Sequence, residues 1–242
     1  MFSIRQIIIC ALFFALPIGI VAQTENPAKK NGRPDTQNTP AKSSSRDYKP
    51  AYFYTFERPG FGVPKIILDH DETGRGQITF VKDDSSNVPI TDPIQLSDAT
   101  LAKLKEAFAV LNFIDSNEEY QYAAHDFSNM GNITLALKRD GRMRTVRYNW
   151  TENKNAKFLM DEYRRISDEY IWKFDIKIAR ENQQLQTPAL MDTFDSYLQR
   201  GEISDPPHLM PFLTELSTDE RLPLIARDHA ARLVKQIQKS KK

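Results

Sequence analysis

The sequence predicts an α+β fold, with an antiparallel sheet and one packed helix in the first half and an all-helical part after it. Strand-type alternation and a hairpin turn fall before Trp150, whereas apolar residues at helical spacing dominate from about Asn155 onward. A chain that finishes its strands before its long helices begin is typical of α+β proteins or of two adjoining domains.

The first 22 residues have the pattern of a secretion signal. Arg5 precedes an uncharged apolar run from 7 to 22, and Ala22 supplies the small residue at the expected cleavage point. We therefore expect the mature chain to begin at Gln23. An uncleaved membrane anchor is the alternative, but the run is short for a bilayer span and contains Pro17.

Composition excludes several kinds of chemistry in that mature chain. Its only cysteine, Cys10, lies within the signal, so no disulfide, thiol nucleophile or cysteine-bound metal is expected after cleavage. The whole chain has 33 basic and 32 acidic residues, and loss of Arg5 makes the two numbers equal. This neutral balance argues against nucleic acid as a partner and against an anionic membrane surface.

The segment after the signal is predicted to be a disordered linker. It is rich in Pro, Asn, Thr, Ser and Lys and poor in large apolar side chains, so it cannot bury enough surface to offset the entropy of ordering. The predicted organisation is a signal at 1–22, a linker at 23–50, a sheet-plus-helix domain at 51–152 and a helical region at 153–242.

Three strands are predicted before the first helix. Alternating aromatic residues at 52–56 predict the first strand, and the two prolines and two glycines of 58–64 predict the loop that ends it. Apolar runs at 66–68 and 78–81 predict the second and third strands. The polar stretch that follows, up to residue 96, is predicted to be irregular.

A β-hairpin is predicted between residues 132 and 150, with its turn at Asp140 and Gly141. This pair accepts the positive φ angles of a type I′ turn. Counting outward from the turn gives one apolar face and one polar face, and Asn149 is expected on the solvent side. The expected pairs on the buried face are Leu137 with Arg144, Leu135 with Val146 and Ile133 with Tyr148.

One helix is predicted before the hairpin and four after it. Ser97 is a suitable N-cap for the first helix. In the C-terminal half, Thr187 is predicted to cap a helix that has Pro188 in its first turn and that Gly201 can end, and 217–220 match a capping box for the last helix. A further short helix is expected from Pro206-Pro207, and the long second helix is indicated by Leu159, Tyr163, Ile166, Tyr170 and Phe174.

This order of elements resembles a family of exported bacterial proteins that contain a domain of unknown function. The resemblance rests on the loop at 58–64 and on Tyr122 and Asp126 ahead of the hairpin, and it covers roughly residues 52–172. Members carry a Phe-Gly-x-Cys-Pro-like loop, whereas this chain has Val63 in place of the cysteine. The family implies a bacterial periplasmic or secreted protein and implies no catalytic activity.

Two groups of residues are candidates for chemistry. Residues 69–72, Asp-His-Asp-Glu, are the densest group of possible metal ligands. On a strand, however, the aspartates face opposite to His70, so a strand that enters an acidic turn is the favoured interpretation. His125 and Asp126 lie in the irregular segment 115–130, where a functional site is more typical. The sequence shows no serine-nucleophile motif and no phosphate-binding glycine loop.

The sequence therefore predicts an exported, soluble binding or interaction module of the cell envelope, without enzyme activity, cofactor or metal. A protein or another envelope component is the expected partner. The candidate contact residues are Arg58 and Phe61 in one loop and Tyr122, His125 and Asp126 in another. If both loops reach the same end of the sheet, we expect Arg58 to pair with Asp126.

Three alternatives stay open. Phe61 can fold back as a core plug that Arg58 merely covers. The protein can instead be an envelope hydrolase that uses carboxylates or a His-Asp pair. The helical half can also be a separate interaction domain, with the sheet as its scaffold.

Overall fold

A computed structural model of the chain describes residues 47–83 and 88–240, apart from the side chain of Ser128. The predicted signal and the predicted linker up to residue 46 lie outside the described residues. At 47–50, Tyr48 donates a hydrogen bond to the carboxylate of Asp69. No helix in the described ranges is long and apolar enough to cross a membrane.

Six strands in the described part of the chain form one antiparallel sheet in the order β4-β3-β2-β1-β5-β6, and helices follow, so the predicted α+β class is confirmed. The strands are β1 (Tyr52–Glu57), β2 (Lys65–His70), β3 (Arg75–Val81), β4 (Ile90–Gln95), β5 (Asn132–Arg139) and β6 (Arg142–Tyr148).

Strand β4 lies where the sequence predicted an irregular stretch, and that prediction is wrong. Its central Pro93 pairs with Gln77 of β3, on the outermost strand of the sheet. Proline has no N–H to donate, so within sheets it is confined to edges. An internal proline normally argues against a strand, which is why this edge strand escaped the sequence pattern.

The predicted β5–β6 hairpin is confirmed in its turn and in its register. Asp140 and Gly141 have φ angles of 52° and 74°, as a type I′ turn requires. Leu135 faces Val146 across the two strands, as expected from counting outward from the turn. Strand β5 also pairs with the whole of β1, so the hairpin extends the sheet beyond β1 and makes β6 its outer strand on that side.

The helices are α1 (Asp98–Val110), α2 (Lys154–Asn182), α3 (Thr187–Gln199), α4 (Met210–Thr218) and α5 (Leu224–Ser240). Ser97 caps α1 by accepting a hydrogen bond from the backbone N–H of Thr100 at 3.1 Å, as predicted. Gly201, with φ of 68°, follows the end of α3. Helices α1 and α2 cover the apolar face of the sheet.

Two predicted caps are wrong. Residues 217 and 218 belong to α4, and α5 begins only after Pro223, so 217–220 do not cap the last helix. Asp219 instead accepts hydrogen bonds from Arg180 and Arg221. Thr187 lies within α3 and donates its hydroxyl proton to the carbonyl of Gln184 rather than capping the helix.

The long helix α2 contributes to two hydrophobic cores. Its first part packs into the core of the sheet through Leu159, Tyr163 and Ile166. Farther along, Trp172 and Ile176 belong to a second core that is built with α3, α4 and α5. One helix therefore joins the sheet-covering layer to the helical half.

Candidate binding groove

A groove of about 600 Å³ opens at the end of the sheet where β1 ends and β5 begins. The inner face of the sheet forms its floor, the loop after β1 and the residue pair after β6 form its sides, and α2 and Tyr197 of α3 close it. Most of its lining is apolar or aromatic, and the apolar and aromatic residues are Tyr54, Phe56, Phe61, Ile66, Met130, Ile133, Trp150, Met160 and Tyr197.

The floor follows from the alternation in β1. Phe56 pairs with Ile66 on one side and with Ile133 on the other, so three apolar side chains form a row across the end of the sheet. Tyr54 lies one row deeper on the same face and stacks on Tyr163, with ring centroids 5.1 Å apart. Period-two alternation thus places the hydroxyl-bearing ring beneath the apolar row.

The wall opposite the sheet is formed by one polar face of α2. Lys157, Asp161, Arg164 and Asp168 recur every three or four residues along one face of the helix and line the groove. Lys157 pairs with Asp161 at 2.9 Å, and Arg164 lies 3.9 Å from Asp161. Ion pairs therefore compensate the charges at the start of this polar face, whereas Asp168 forms no ion pair among the described residues and is influenced only by the charges of Arg164 and Arg200 among nearby basic groups.

Tyr54 and Asp168 bring polar groups without partners into the groove. Tyr54 is only 2% exposed, yet its hydroxyl has no hydrogen-bond partner among the described residues. The carboxylate of Asp168 likewise has no hydrogen bond or ion pair within the described chain. Burial raises the pKa of Asp168 to about 6, although the Arg164 charge acts to lower it. Burial also raises the pKa of Tyr54 well above its ordinary value.

Two of the sequence-predicted residues, Arg58 and Phe61, line the groove. The Arg58 guanidinium lies 4.7 Å from the centre of the Phe61 ring, and Phe61 meets Phe56 edge-on with centroids 6.4 Å apart. Phe61 remains 46% exposed, so it is not a core plug. Gly131 makes this packing possible, because a Cβ there would lie 2.8 Å from a carbon of Phe56 and 2.8 Å from Cβ of Arg58.

Tyr122, His125 and Asp126 reach the same end of the sheet but do not line the groove. Tyr122 packs edge-on against Trp150 at a centroid distance of 4.6 Å. His125 packs on Phe127 at 4.3 Å, and both His125 and Asp126 are exposed. Tyr122 therefore supports Trp150 directly, whereas His125 contacts Phe127, which in turn packs on Trp150.

Asn149 holds that supporting segment to the hairpin. Its side-chain oxygen accepts from Gln121 at 3.0 Å and from the backbone N–H of Phe127 at 3.3 Å, and its amide donates to Asp126. The expected pair of Arg58 with Asp126 is not formed, because Asn149 occupies the carboxylate. The prediction that Asn149 faces solvent is wrong, since it is buried by these bonds.

The acidic run at 69–72 does not form a site. Asp71 accepts hydrogen bonds from the backbone and hydroxyl of Thr73, as in an acidic turn. Glu72 accepts from the Tyr52 hydroxyl at 3.0 Å, and His70 is fully buried with its ring stacked on that of Tyr52. Within the described ranges, no three His, Cys, Asp or Glu side chains are arranged to hold a metal ion.

Tyr54, Trp150 and Asp168 line the groove but were not predicted as site residues from the sequence. Asp168 could have been found from the helical spacing of the polar residues in α2, because Lys157, Asp161, Arg164 and Asp168 share one face of the helix. Tyr54 was assigned to a strand, and nothing in its local sequence showed that its hydroxyl would lack a partner.

The groove thus combines an apolar row on its floor, a charged wall on α2, and two polar groups, Tyr54 and Asp168, without hydrogen-bond partners among the described residues. Such a combination suits a small organic group that is partly apolar and carries hydrogen-bonding atoms at one end. It does not resemble a metal site, because its acidic residues are separated along a helix. Comparison of the chain with known proteins found no matching family model and no matching curated protein.

Proposed function

We propose that this protein is a non-enzymatic binding module of the cell envelope, periplasmic or secreted, and that the groove is where it binds a protein or another envelope component. One observation carries the proposal: Tyr54 and Asp168 are polar, mostly buried and unpartnered, and both face the groove. Arg58 and Phe61 lie at the mouth, where they meet an incoming ligand first.

The polar side-chain atoms of the described residues that are fully buried without a partner are Nε of Arg165 and Nε of Arg227, so the oxygens of Tyr54 and Asp168 are open to the groove. A ligand that enters the groove can therefore form hydrogen bonds with both oxygens without breaking a bond inside the protein. The volume of about 600 Å³ falls within the range of small-ligand pockets, whereas the cavity beside Glu169 measures about 10 Å³ and is too small.

The proposal is tested with melting temperatures of the exported protein in the presence of cell-wall oligosaccharides, peptides and lipids. A ligand of at least one class is expected to raise the melting temperature. The rise should disappear in Met160→Trp, which fills the groove from α2. Met143→Trp places the same residue on the exposed hairpin and should keep the response. If no class stabilises the protein, or if Met160→Trp responds fully, the groove is not the binding site.

A hydrolase is the second candidate, because Asp161 and Asp168 share the groove and the pKa of Asp168 is raised to about 6, as a general acid requires. Their spacing argues against it. Seven residues of helix separate them by about 10.5 Å along the axis, whereas carboxylate pairs in glycosidases lie about 5 to 9.5 Å apart. Asp161 is also paired with Lys157.

Turnover distinguishes the two candidates. Any ligand found by thermal shift is incubated with the protein and analysed by mass spectrometry. A binding module returns the ligand intact. Cleavage products that disappear in Asp168→Asn would replace the binding function with the hydrolase.

A further inference from the structure

We propose that the groove binds an uncharged saccharide residue, with Tyr54 and Asp168 hydrogen-bonding its hydroxyl groups. This inference rests on the proposed binding function and names the ligand class for the same groove. Three properties of the lining support it: the distribution of charge, the hydrogen-bonding capacity of the two unpartnered groups, and the position of the aromatic rings.

Charge favours a neutral ligand. Arg58 and Arg164 bring positive charge to the lining, and neither has a close, strong carboxylate partner among the described residues. Asp168 brings a negative charge that forms no ion pair among the described residues, although the charges of Arg164 and Arg200 act on it. A cationic ligand would approach the two guanidinium groups, and an anionic one would approach Asp168, so each meets a like charge. A neutral polar ligand meets neither penalty and can still bond to both kinds of group.

The unpartnered groups have complementary roles. A phenol hydroxyl can donate one hydrogen bond and accept others, whereas an ionised carboxylate only accepts. A hydroxyl group on a ligand donates to the carboxylate and accepts from the phenol, so two neighbouring hydroxyls satisfy Tyr54 and Asp168 together. A purely apolar ligand would leave both groups unpaired and would lose affinity for that reason.

Aromatic rings stand where the apolar face of a sugar ring would lie. Trp150 lines the groove and is held from behind by Tyr122, at a centroid distance of 4.6 Å, and by Phe127, at 5.6 Å. Phe61 is exposed at the mouth and Tyr197 lies on the α3 side. A saccharide residue presents C–H groups on one face and hydroxyls at its edge, which matches aromatic rings that share the groove with the Tyr54 hydroxyl and the Asp168 carboxylate.

Tryptophan fluorescence reports on binding directly. The chain has two tryptophans: Trp150 lines the groove, and Trp172 is 2% exposed in the second core. The exported protein is titrated with neutral trisaccharides of glucose, mannose and N-acetylglucosamine. It is titrated in parallel with cationic triglucosamine, anionic trigalacturonate and a neutral tripeptide. At least one neutral trisaccharide is expected to give a saturable change that is absent in Trp150→Phe, and the charged sugars are expected to bind more weakly.

Isosteric variants test the two hydrogen-bonding groups. Tyr54→Phe and Asp168→Asn are each expected to weaken binding roughly tenfold, the effect of one lost hydrogen bond. The matched controls are Tyr170→Phe, whose hydroxyl contacts Gln95, and Asp92→Asn, whose carboxylate pairs with Lys177. Both controls should bind as the wild type does. Melting temperatures of all four variants verify that each is folded.

The outcomes separate the ligand class from the function. If a charged sugar or the peptide binds in a manner that Met160→Trp abolishes, and no neutral trisaccharide does, the saccharide assignment is wrong and the binding function stands. If a neutral trisaccharide binds equally well to Tyr54→Phe and Asp168→Asn, the assigned hydrogen bonds are wrong. If nothing binds in this assay or in the broader thermal-shift panel, both proposals fall.

Discussion

Tyr52 and His70 are direct partners across β1 and β2, and their rings stack face to face with centroids 4.7 Å apart and planes 11° apart. The imidazole uses both nitrogens: Nδ1 donates to the Asp71 carbonyl at 2.9 Å, and Nε2 accepts from the Tyr163 hydroxyl at 3.0 Å. This pattern suits the neutral ring. Burial lowers the pKa of His70 from 6.5 to about 4.

Acid should destabilise the protein through His70. Below pH 6.5 His70 is protonated in the unfolded state, whereas in the folded state it stays neutral down to about pH 4. The contribution of His70 to the free energy of unfolding is therefore complete above pH 6.5 and falls as the pH decreases toward 4. The loss amounts to about 3 kcal/mol at most. Urea denaturation between pH 4 and 7 should show a weaker acid dependence in His70→Gln than in the wild type. His125→Gln, at an exposed position, is the control, and parallel curves for all three proteins would contradict this assignment.

Glu169 should destabilise the protein at high pH, in contrast to His70, which does so at low pH. Glu169 is 3% exposed, and its burial raises the pKa to about 7 despite the nearby Lys173. The folded state binds the carboxyl proton of Glu169 more tightly than the unfolded state does. The stability that this proton contributes is therefore complete below pH 4.5 and is lost as the pH rises through 7. Glu169→Gln is therefore expected to be more stable than the wild type at pH 8, by up to about 3 kcal/mol, and nearly equal at pH 4. Glu119→Gln at an exposed site should change nothing, and a destabilised Glu169→Gln at pH 8 would refute the prediction.

Gly131 should resist substitution. Its φ of 89° disfavours any side chain, and an added Cβ would press on Phe56 and Arg58 at 2.8 Å. Gly131→Ala is expected to lower the free energy of unfolding by about 1–3 kcal/mol and to weaken ligand binding, because the mouth of the groove must shift. Gly62→Ala is the matched control, since a Cβ there meets nothing within 4 Å. Equal stability of the two variants would show that the packing at Gly131 is looser than described.

The hairpin turn gives a simpler expectation. Gly141 has φ of 74° with open space around it, so a side chain there is strained only by its backbone conformation. Gly141→Val should destabilise the protein by about 1–2 kcal/mol, whereas Gly141→Asn should stay close to the wild type because asparagine tolerates the left-handed region. Thermal melting of both variants tests this, and an unchanged melting temperature for the valine variant would contradict it.

Export is tested at the other end of the chain. The apolar run that ends at Ala22 predicts a mature protein that begins at Gln23. N-terminal sequencing of protein recovered outside the cytoplasm should return that residue. Recovery of Met1 would favour the membrane-anchor interpretation.

Features set by neighbouring residues were predictable. The turn at Asp140 and Gly141, the cap at Ser97 and the periodicities of β1 and α2 depend on residues within a few positions of each other, and sequence analysis found them. Misleading local patterns caused the failures. Pro93 hid an edge strand, and the capping-box letters at 217–220 fell at the end of one helix rather than the start of the next.

The groove depended on contacts between distant parts of the chain. Arg58 and Phe61 were found because a loop with two glycines can hold an aromatic ring away from a sheet. Asp168 lies more than a hundred residues from Tyr54, and only the packing of α2 over β1 brings both into one space. Periodicity alone assigns each of them to a face of its own element and does not say which faces meet.

Helix α2 packs into both hydrophobic cores, and this affects how the molecule unfolds. This 29-residue helix is about 43 Å long, and Tyr170 and Trp172 sit two positions apart yet are buried in different cores. Loosening either core removes the packing that keeps the shared helix in place for the other. The sheet and the helical half are thereby tied into one cooperative unit, which is expected to melt in a single transition rather than two.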